Sequence, residues 1–374
     1  MKFRKTSIAL AIAFPLLLSP NAFAQSTSAD DRLQQAEQRI RYLEQRVQDQ
    51  SAVAAEQKSA SENDSGDNWY NNVEITGVVE VEAFYTDPEE GDSESDIVAA
   101  TVELGLAANL NKQTSVEVVF LFEEDDTDLE VDVAQLTHAF ANSPWSLTAG
   151  QIYVPFGAYE TALLSDPLTL EIGETRETAL LLGFEQNAVS GSFYIFNGDN
   201  SEGEDNEIDN WGANIGLGND AFSVGIGYIN DIGDSDALQD NLESNEVDEY
   251  TPGISANGSV ILGPITLIAE YTAATDEFGA EVLGGAEPSA TNLELDYEFP
   301  IAGKSTTFAI SYQETDEALA LELPETRVLL GLGFEINDHF NVGIELAFDE
   351  DYDVEEGGTG DSTTTALLQL AAEF

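Results

Sequence analysis

Carboxylates dominate the residues of this chain that could do chemistry. The 374 residues carry 72 Asp and Glu against 12 Lys and Arg, a formal net charge of −60, with 2 His and no Cys. Three uses of so many acids fit the sequence. Rings of Asp and Glu around a water-filled passage favour cations. Clusters such as EEDDTD (123–128) and FDEDYDVEE (348–356) supply hard oxygen ligands of the kind calcium takes, although neither has the spacing of a dedicated calcium loop. A surface of this sign also suits a salt-rich habitat, where the screening length falls to ~3 Å at 1 M. The acids are spread through all the loops, which favours the third use and leaves the first open.

Other chemistry finds little support. His138 and His339 form no metal-spaced pair, and no nucleophile elbow accompanies the many Ser and Asp residues. Gly-rich stretches such as GLGFE sit inside strand patterns and are not phosphate loops. Without Cys, disulfides and thiolate metal sites are excluded. No cofactor is expected. Nucleic acid is a poor partner for so negative a chain.

The elements that position the acids follow from periodicity. Residues 1–24 read as a secretory signal: Lys2, Arg4 and Lys5, an apolar run, then Ala22-Phe23-Ala24 before Gln25. Without them the chain holds 9 bases against 72 acids. Residues 25–58 hold a predicted periplasmic coiled coil. Leu33, Ala36, Ile40, Leu43, Val47, Gln50 and Ala54 form a 3-4 stripe that needs a partner helix, which points to a homo-trimer assembled through residues 30–57. Residues 59–72 read as a linker.

From Val73 the period becomes two, and the fold predicted for 73–374 is an all-β transmembrane barrel of about 16 antiparallel strands. The predicted segments lie near 73–85, 97–109, 114–124, 129–140, 145–154, 177–186, 188–196, 208–217, 221–231, 253–262, 265–275, 290–299, 305–314, 325–336, 339–349 and 363–374. Lengths near ten residues suit tilted strands crossing hydrocarbon, and the connections alternate short and long as they do in outer-membrane barrels. The last segment, TALLQLAAEF, closes on Phe374, read as an assembly signal of such a barrel. The expected location is the bacterial outer membrane, with its lipid as a partner.

Alternation also assigns faces. Leu293, Leu295, Tyr297 and Phe299 are expected to meet lipid, as are Val116, Val118, Phe120 and Phe122, and Val342, Ile344, Leu346 and Phe348. Glu74, Glu80, Glu82, Glu117, Glu294, Asp296 and Glu345 are expected to face a wet lumen. One connection stands apart. Residues 155–176 carry Pro155, Pro167, Leu163, Leu164, Leu168 and Leu170, too apolar for an ordinary exposed loop. They are expected to fold inward as a pore constriction bearing Asp166, Glu171, Glu174, Arg176 and Glu177. An ordered rim loop or a trimer contact is the other reading. Arg176, one of four bases after residue 65 with Lys112, Lys304 and Arg327, is expected to pair with Glu171, Glu174 or Glu177.

The same segment carries a resemblance. QIYVPFGAYET (151–161), SDPLTLEIGETRETAL (165–180), FYIFNGD (193–199) and IDNWG (208–212), taken in series, resemble the LbtU-type siderophore porin family. The likeness extends over the signal, the heptad helix and the barrel through Phe374. It implies an outer-membrane barrel linked to ferric siderophore uptake, without the energy-coupling plug domain of larger receptors. The expectation from the residues is a passive porin for small solutes with a cation-preferring lumen and no enzymatic activity. The alternative is a structural barrel tethering the outer membrane to the cell wall through its coiled coil.

Overall fold

The computed structural model describes residues 72–374 apart from 125–126, 203–207, 242–245, 248 and 280–282. The predicted signal, the coiled coil and all but the last residue of the linker lie outside the described residues. Sixteen strands form one closed antiparallel barrel in sequence order. They are β1 Val73–Pro88, β2 Glu94–Asn109, β3 Thr114–Phe122, β4 Glu130–Ala139, β5 Trp145–Tyr153, β6 Arg176–Gln186, β7 Val189–Phe196 and β8 Asn210–Asn219. The barrel continues with β9 Phe222–Ile229, β10 Gly253–Leu262, β11 Ile265–Ala274, β12 Ser289–Ile301, β13 Lys304–Asp316, β14 Thr326–Asn337, β15 Phe340–Glu350 and β16 Ser362–Glu373. No helix among the described residues is long and apolar enough to cross a membrane, which is no bar to a barrel, since a barrel crosses with strands.

The sixteen predicted segments all correspond to barrel strands. Their ends differ most at β1 and β2, which pair from Thr86 with Glu94 onward. The exterior is apolar as expected: Ile75, Val79, Val81, Leu293, Leu295, Tyr297, Ile344, Leu346 and Phe348 are all exposed. β1 and β16 close the seam. Gly77 N donates to Phe374 O (3.1 Å) and Phe374 N to Gly77 O (3.0 Å), with the Phe374 ring lying over Gly77 where any Cβ would collide.

The long connections do not simply hang at the rim. α1 (Leu168–Gly173), α2 (Asp236–Asn241) and a 3-10 turn (Leu319–Leu321) lie in three of them. Phe156, Leu168, Ile172, Ile232, Leu238, Phe278, Leu283 and Leu321 from these connections pack with Ile152, Ala179, Tyr194, Phe196, Ile229 and Ala290 of the wall into one buried apolar cluster. This core fills the long-loop end of the barrel over β5 to β12. A smaller cluster of Leu163, Ala309, Leu329 and Ala347 covers β13 to β15.

Beside the core, Asp234 ties two connections together while fully buried. Its carboxylate accepts from Asn200 N (3.0 Å) and Asn210 Nδ2 (2.8 Å). Burial, reinforced by the charge of Asp231, pushes its pKa up to about 8. The folded protein therefore holds this proton more tightly than the unfolded chain does, so local stability falls as pH rises from the ordinary carboxylate range toward about 8. Hydrogen-exchange protection of the Asn200 amide should decline across that window, and Asp234→Asn should flatten the decline. Protection independent of pH in the parent chain would contradict this.

Candidate functional site

The ladder between β5 and β6 ends with Val154 N to Thr175 O (2.9 Å). Pro155 has no N–H to continue it, and the chain turns into the barrel. Residues 154–175 form a strap whose partners lie on β11, β12, β13 and β15, six to ten strands around the cylinder. The strap therefore spans the lumen. Between residues 157 and 166 its N–H groups find no backbone acceptor. Wall carboxylates accept instead. Glu270 of β11 takes Ala158 N (2.7 Å) and Tyr159 N (2.8 Å). Glu294 of β12 takes Ala162 N (2.7 Å) and Thr161 Oγ1 (2.8 Å). Glu345 of β15 takes Leu164 N (2.7 Å) and the Ser165 hydroxyl. Gln313 of β13 takes Leu168 N (2.9 Å).

Packing reinforces these bonds. A Cβ on Gly331 would come within 2.5 Å of Leu163, and one on Gly343 within 2.6 Å of Leu164. These two wall glycines are notches for the leucines. The C-terminal half of the strap is tied more tightly. α1 is closed by Leu170 N to Pro167 O and Glu174 N to Leu170 O, both 2.8 Å, and Leu168, Thr169 and Ile172 are fully buried.

The wall left uncovered runs over β16 and β1 to β4. Its inward face is acidic. Glu82 accepts from Gln369 (2.9 Å) and Glu117 from Gln135 (2.7 Å). Glu103 lies within electrostatic reach of Asp132, Glu117 and Glu80. Glu82 lies within reach of Glu80, of Glu345 and of Asp166 on the strap. Asp166 is exposed to the lumen, yet crowding by the barrel and the nearby Glu345 raise its pKa above the ordinary carboxylate value. Both arginines of the barrel are already neutralised. Arg327 makes a two-point pair with Asp349 (2.8 and 3.1 Å). Arg176 pairs with Glu130 and with Asp132 (3.1 Å), and Asp132 also accepts from Tyr153 (2.7 Å).

These placements revise several expectations. Arg176 finds ion-pair partners on β4, at Glu130 and Asp132, acids that were not among those expected, because the pairing of β6 with β5 and of β5 with β4 sets its side chain beside them. Glu294, Asp296 and Glu345 sit on the inner face but do not meet open water. They are 3%, 7% and 1% exposed, because the strap and its neighbours cover them. Of the predicted constriction set, Asp166 reaches the tip, whereas Glu171 lies on α1, Glu174 caps its C-terminal end and Glu177 is buried at the start of β6. Glu74 is exposed near the short-turn end. Glu270, Gln313, Glu103 and Asp132 went unnoticed in the sequence. Glu270 is a lone acid on the inward side of ITLIAEYTAA, and nothing local separates it from any other lumen acid.

Comparison with known proteins agrees with this architecture. No family model matches the chain. It is 29% identical over 240 residues to a "UPF0422 protein" of Coxiella burnetii, covering 60% of this chain. It is 27% identical over 351 residues to a UPF0422 protein of Legionella pneumophila (strain Paris), covering 81% of this chain. The alignments span 52% and 66% of those relatives' own lengths. Among solved structures it resembles the outer membrane channel DcaP of Acinetobacter baumannii (TM-score 0.59, 14% identity, covering 81% of this chain and 97% of that one). It also resembles the anion-selective porin from Comamonas acidovorans (TM-score 0.58, 12% identity, 81% and 99%). The chain has the porin fold, an architecture that spans bacterial outer membranes.

The strap accounts for its own fragility. Hydrogen bonds to charged acceptors contribute about 1.5–3 kcal/mol each. Glu294→Ala should therefore raise amide hydrogen exchange at Ala162 about tenfold or more, while Glu74→Ala leaves it unchanged. Equal exchange in the two variants would contradict the assigned bonds.

Proposed function

We propose that the chain is an outer-membrane channel for passive diffusion of small hydrophilic solutes, with preference for cations and neutral molecules. The observation that carries this reading is the single sign of the charges around the strap tip and the wall it faces. Asp166 on the strap lies within electrostatic reach of Glu82 on the wall, Glu80, Glu103 and Glu117 continue the acidic face, and the two arginines of the barrel are engaged by other acids. Fixed charge of one sign lining a passage with low-dielectric walls concentrates counter-ions. A porin fold does not set this sign, since a structural neighbour is described as anion-selective.

The covered half of the lumen supports a narrow, eccentric passage along β16 and β1 to β4. Ferric siderophore uptake, implied by the LbtU-type resemblance, is compatible only with neutral or cationic complexes, because anionic ones meet carboxylates throughout. The export segment 1–24, the helix of 25–58 and the linker of 59–72 complete the proposal, with a homo-trimer assembled through residues 30–57. Removing residues 25–65 should convert the trimer on a native gel to a smaller species, and an unchanged trimer would end the helix's role in assembly.

Reversal potentials in a salt gradient test the selectivity. Cation preference is expected, and Asp166→Asn with Glu82→Gln should reduce it. Because the Asp166 pKa is raised, its share of the preference should start to fade on acidification at a pH above the usual carboxylate range. Anion preference, or no conductance, would refute the proposal.

A further inference from the structure

The three wall glutamates grip the strap in chemically different ways. At Glu294 one carboxylate oxygen faces a backbone N–H and the other the Thr161 hydroxyl; at Glu345 one oxygen faces Leu164 N and the other the Ser165 hydroxyl, with Ser165 N adding only long contacts to both (3.3 and 3.4 Å). A hydroxyl can rotate and accept, so either glutamate can take up a proton without giving up the strap. At Glu270 the two oxygens face two consecutive backbone N–H groups, those of Ala158 and Tyr159. A proton on either oxygen competes with an N–H that has no lone pair to offer, and no hydroxyl stands close enough to take that proton without the strap shifting. Thr169 Oγ1 adds only a long contact (3.4 Å) to the same oxygen that Tyr159 uses.

What surrounds Glu270 offers no compensation. From the strap it meets Tyr159 and Glu160, and Glu174 beyond α1 lies within electrostatic reach of Tyr159. Its register neighbours are Asn257 on β10 and Asn292 on β12. None of these groups carries a positive charge. The strap is also strained at this point, since Tyr159 holds a φ of 52°, in the left-handed region that a bulky residue avoids. Residues 157–166 have no backbone–backbone hydrogen bonds of their own, whereas 168–175 are locked in the apolar core. The strap is thus divided into a fixed half and a half that can peel away.

We propose that Glu270 is a proton-released latch: protonation from lumen water breaks one of its paired N–H bonds at the strained Tyr159, peeling then continues through the Glu294 and Glu345 bonds and the two leucine notches, the 157–166 half of the strap leaves the wall, and the passage widens. This goes beyond the proposed selectivity, because it concerns the bore and not the charge of the channel. The chain has no cysteine, so the strap can be locked cleanly by a disulfide between Leu164→Cys and Gly343→Cys, positions that the Leu164 notch brings together.

Swelling of channel-bearing liposomes in neutral sugars of increasing size reads the bore without reference to ion selectivity. The parent chain should exclude a large sugar at neutral pH and admit it on acidification. Glu270→Gln, which carries a permanent N–H₂ in place of one acceptor, should admit it already at neutral pH. The oxidised double-cysteine form should keep excluding it in acid until a reductant is added. An unchanged size limit in the parent at both pH values, or widening in the oxidised form equal to that of the parent, overturns the latch. Selectivity for cations with no pH-dependent sieving removes the latch alone, whereas no swelling with any sugar removes the channel as well.

Discussion

A backbone amide in hydrocarbon has no water to bond, and every other feature of this molecule depends on how that requirement is met. The ladders β1 to β16 meet it by returning on themselves. The pair of bonds between Gly77 and Phe374 completes the seam. Closure in turn divides the side chains of each strand into two sets, one facing lipid and one facing the lumen. Seventy-two acids are tolerable in such a chain because alternation keeps those of the wall away from the lipid.

The strap meets the same requirement by a different route. Residues 157–166 leave the ladder and enter the barrel, where their N–H groups still need acceptors. Backbone carbonyls are out of reach, so Glu270, Glu294 and Glu345 supply them. The acids thus split into two populations. Glu270, Glu294 and Glu345 are spent on structure, and Glu80, Glu82, Glu103 and Glu117, together with Asp166, remain for solutes. Net charge alone cannot separate these roles. The apolar core over β5 to β12 then decides where water can run.

Much of the barrel was legible from period two. Strand number, the inward and outward faces, and the inward course of 155–176 all follow from alternation and from leucines misplaced in a loop. What was not legible is tertiary. Arg176 sits two residues from Glu174 in sequence, but its ion pairs reach over β5 to acids of β4. Glu345 reads as a lumen acid like Glu117, and only the arrival of Leu164 and Ser165 from 180 residues away turns it into a clamp. Gly331 and Gly343 look like any glycines of a strand until two leucines fill them. No local pattern encodes which acids a distant loop will cover.

The central claim is that solutes travel along the acidic wall of β16 and β1 to β4 while the opposite wall is closed off. Reaction of single cysteines with a cationic, membrane-impermeant thiol reagent tests it most directly, with ionic current as the readout. Thr101→Cys faces the lumen on β2, opposite Glu80, and Ser255→Cys takes a buried inward position on β10. The account predicts rapid modification at 101 with loss of current, and slow modification at 255 with little change. Equal rates and equal block at the two positions would contradict it.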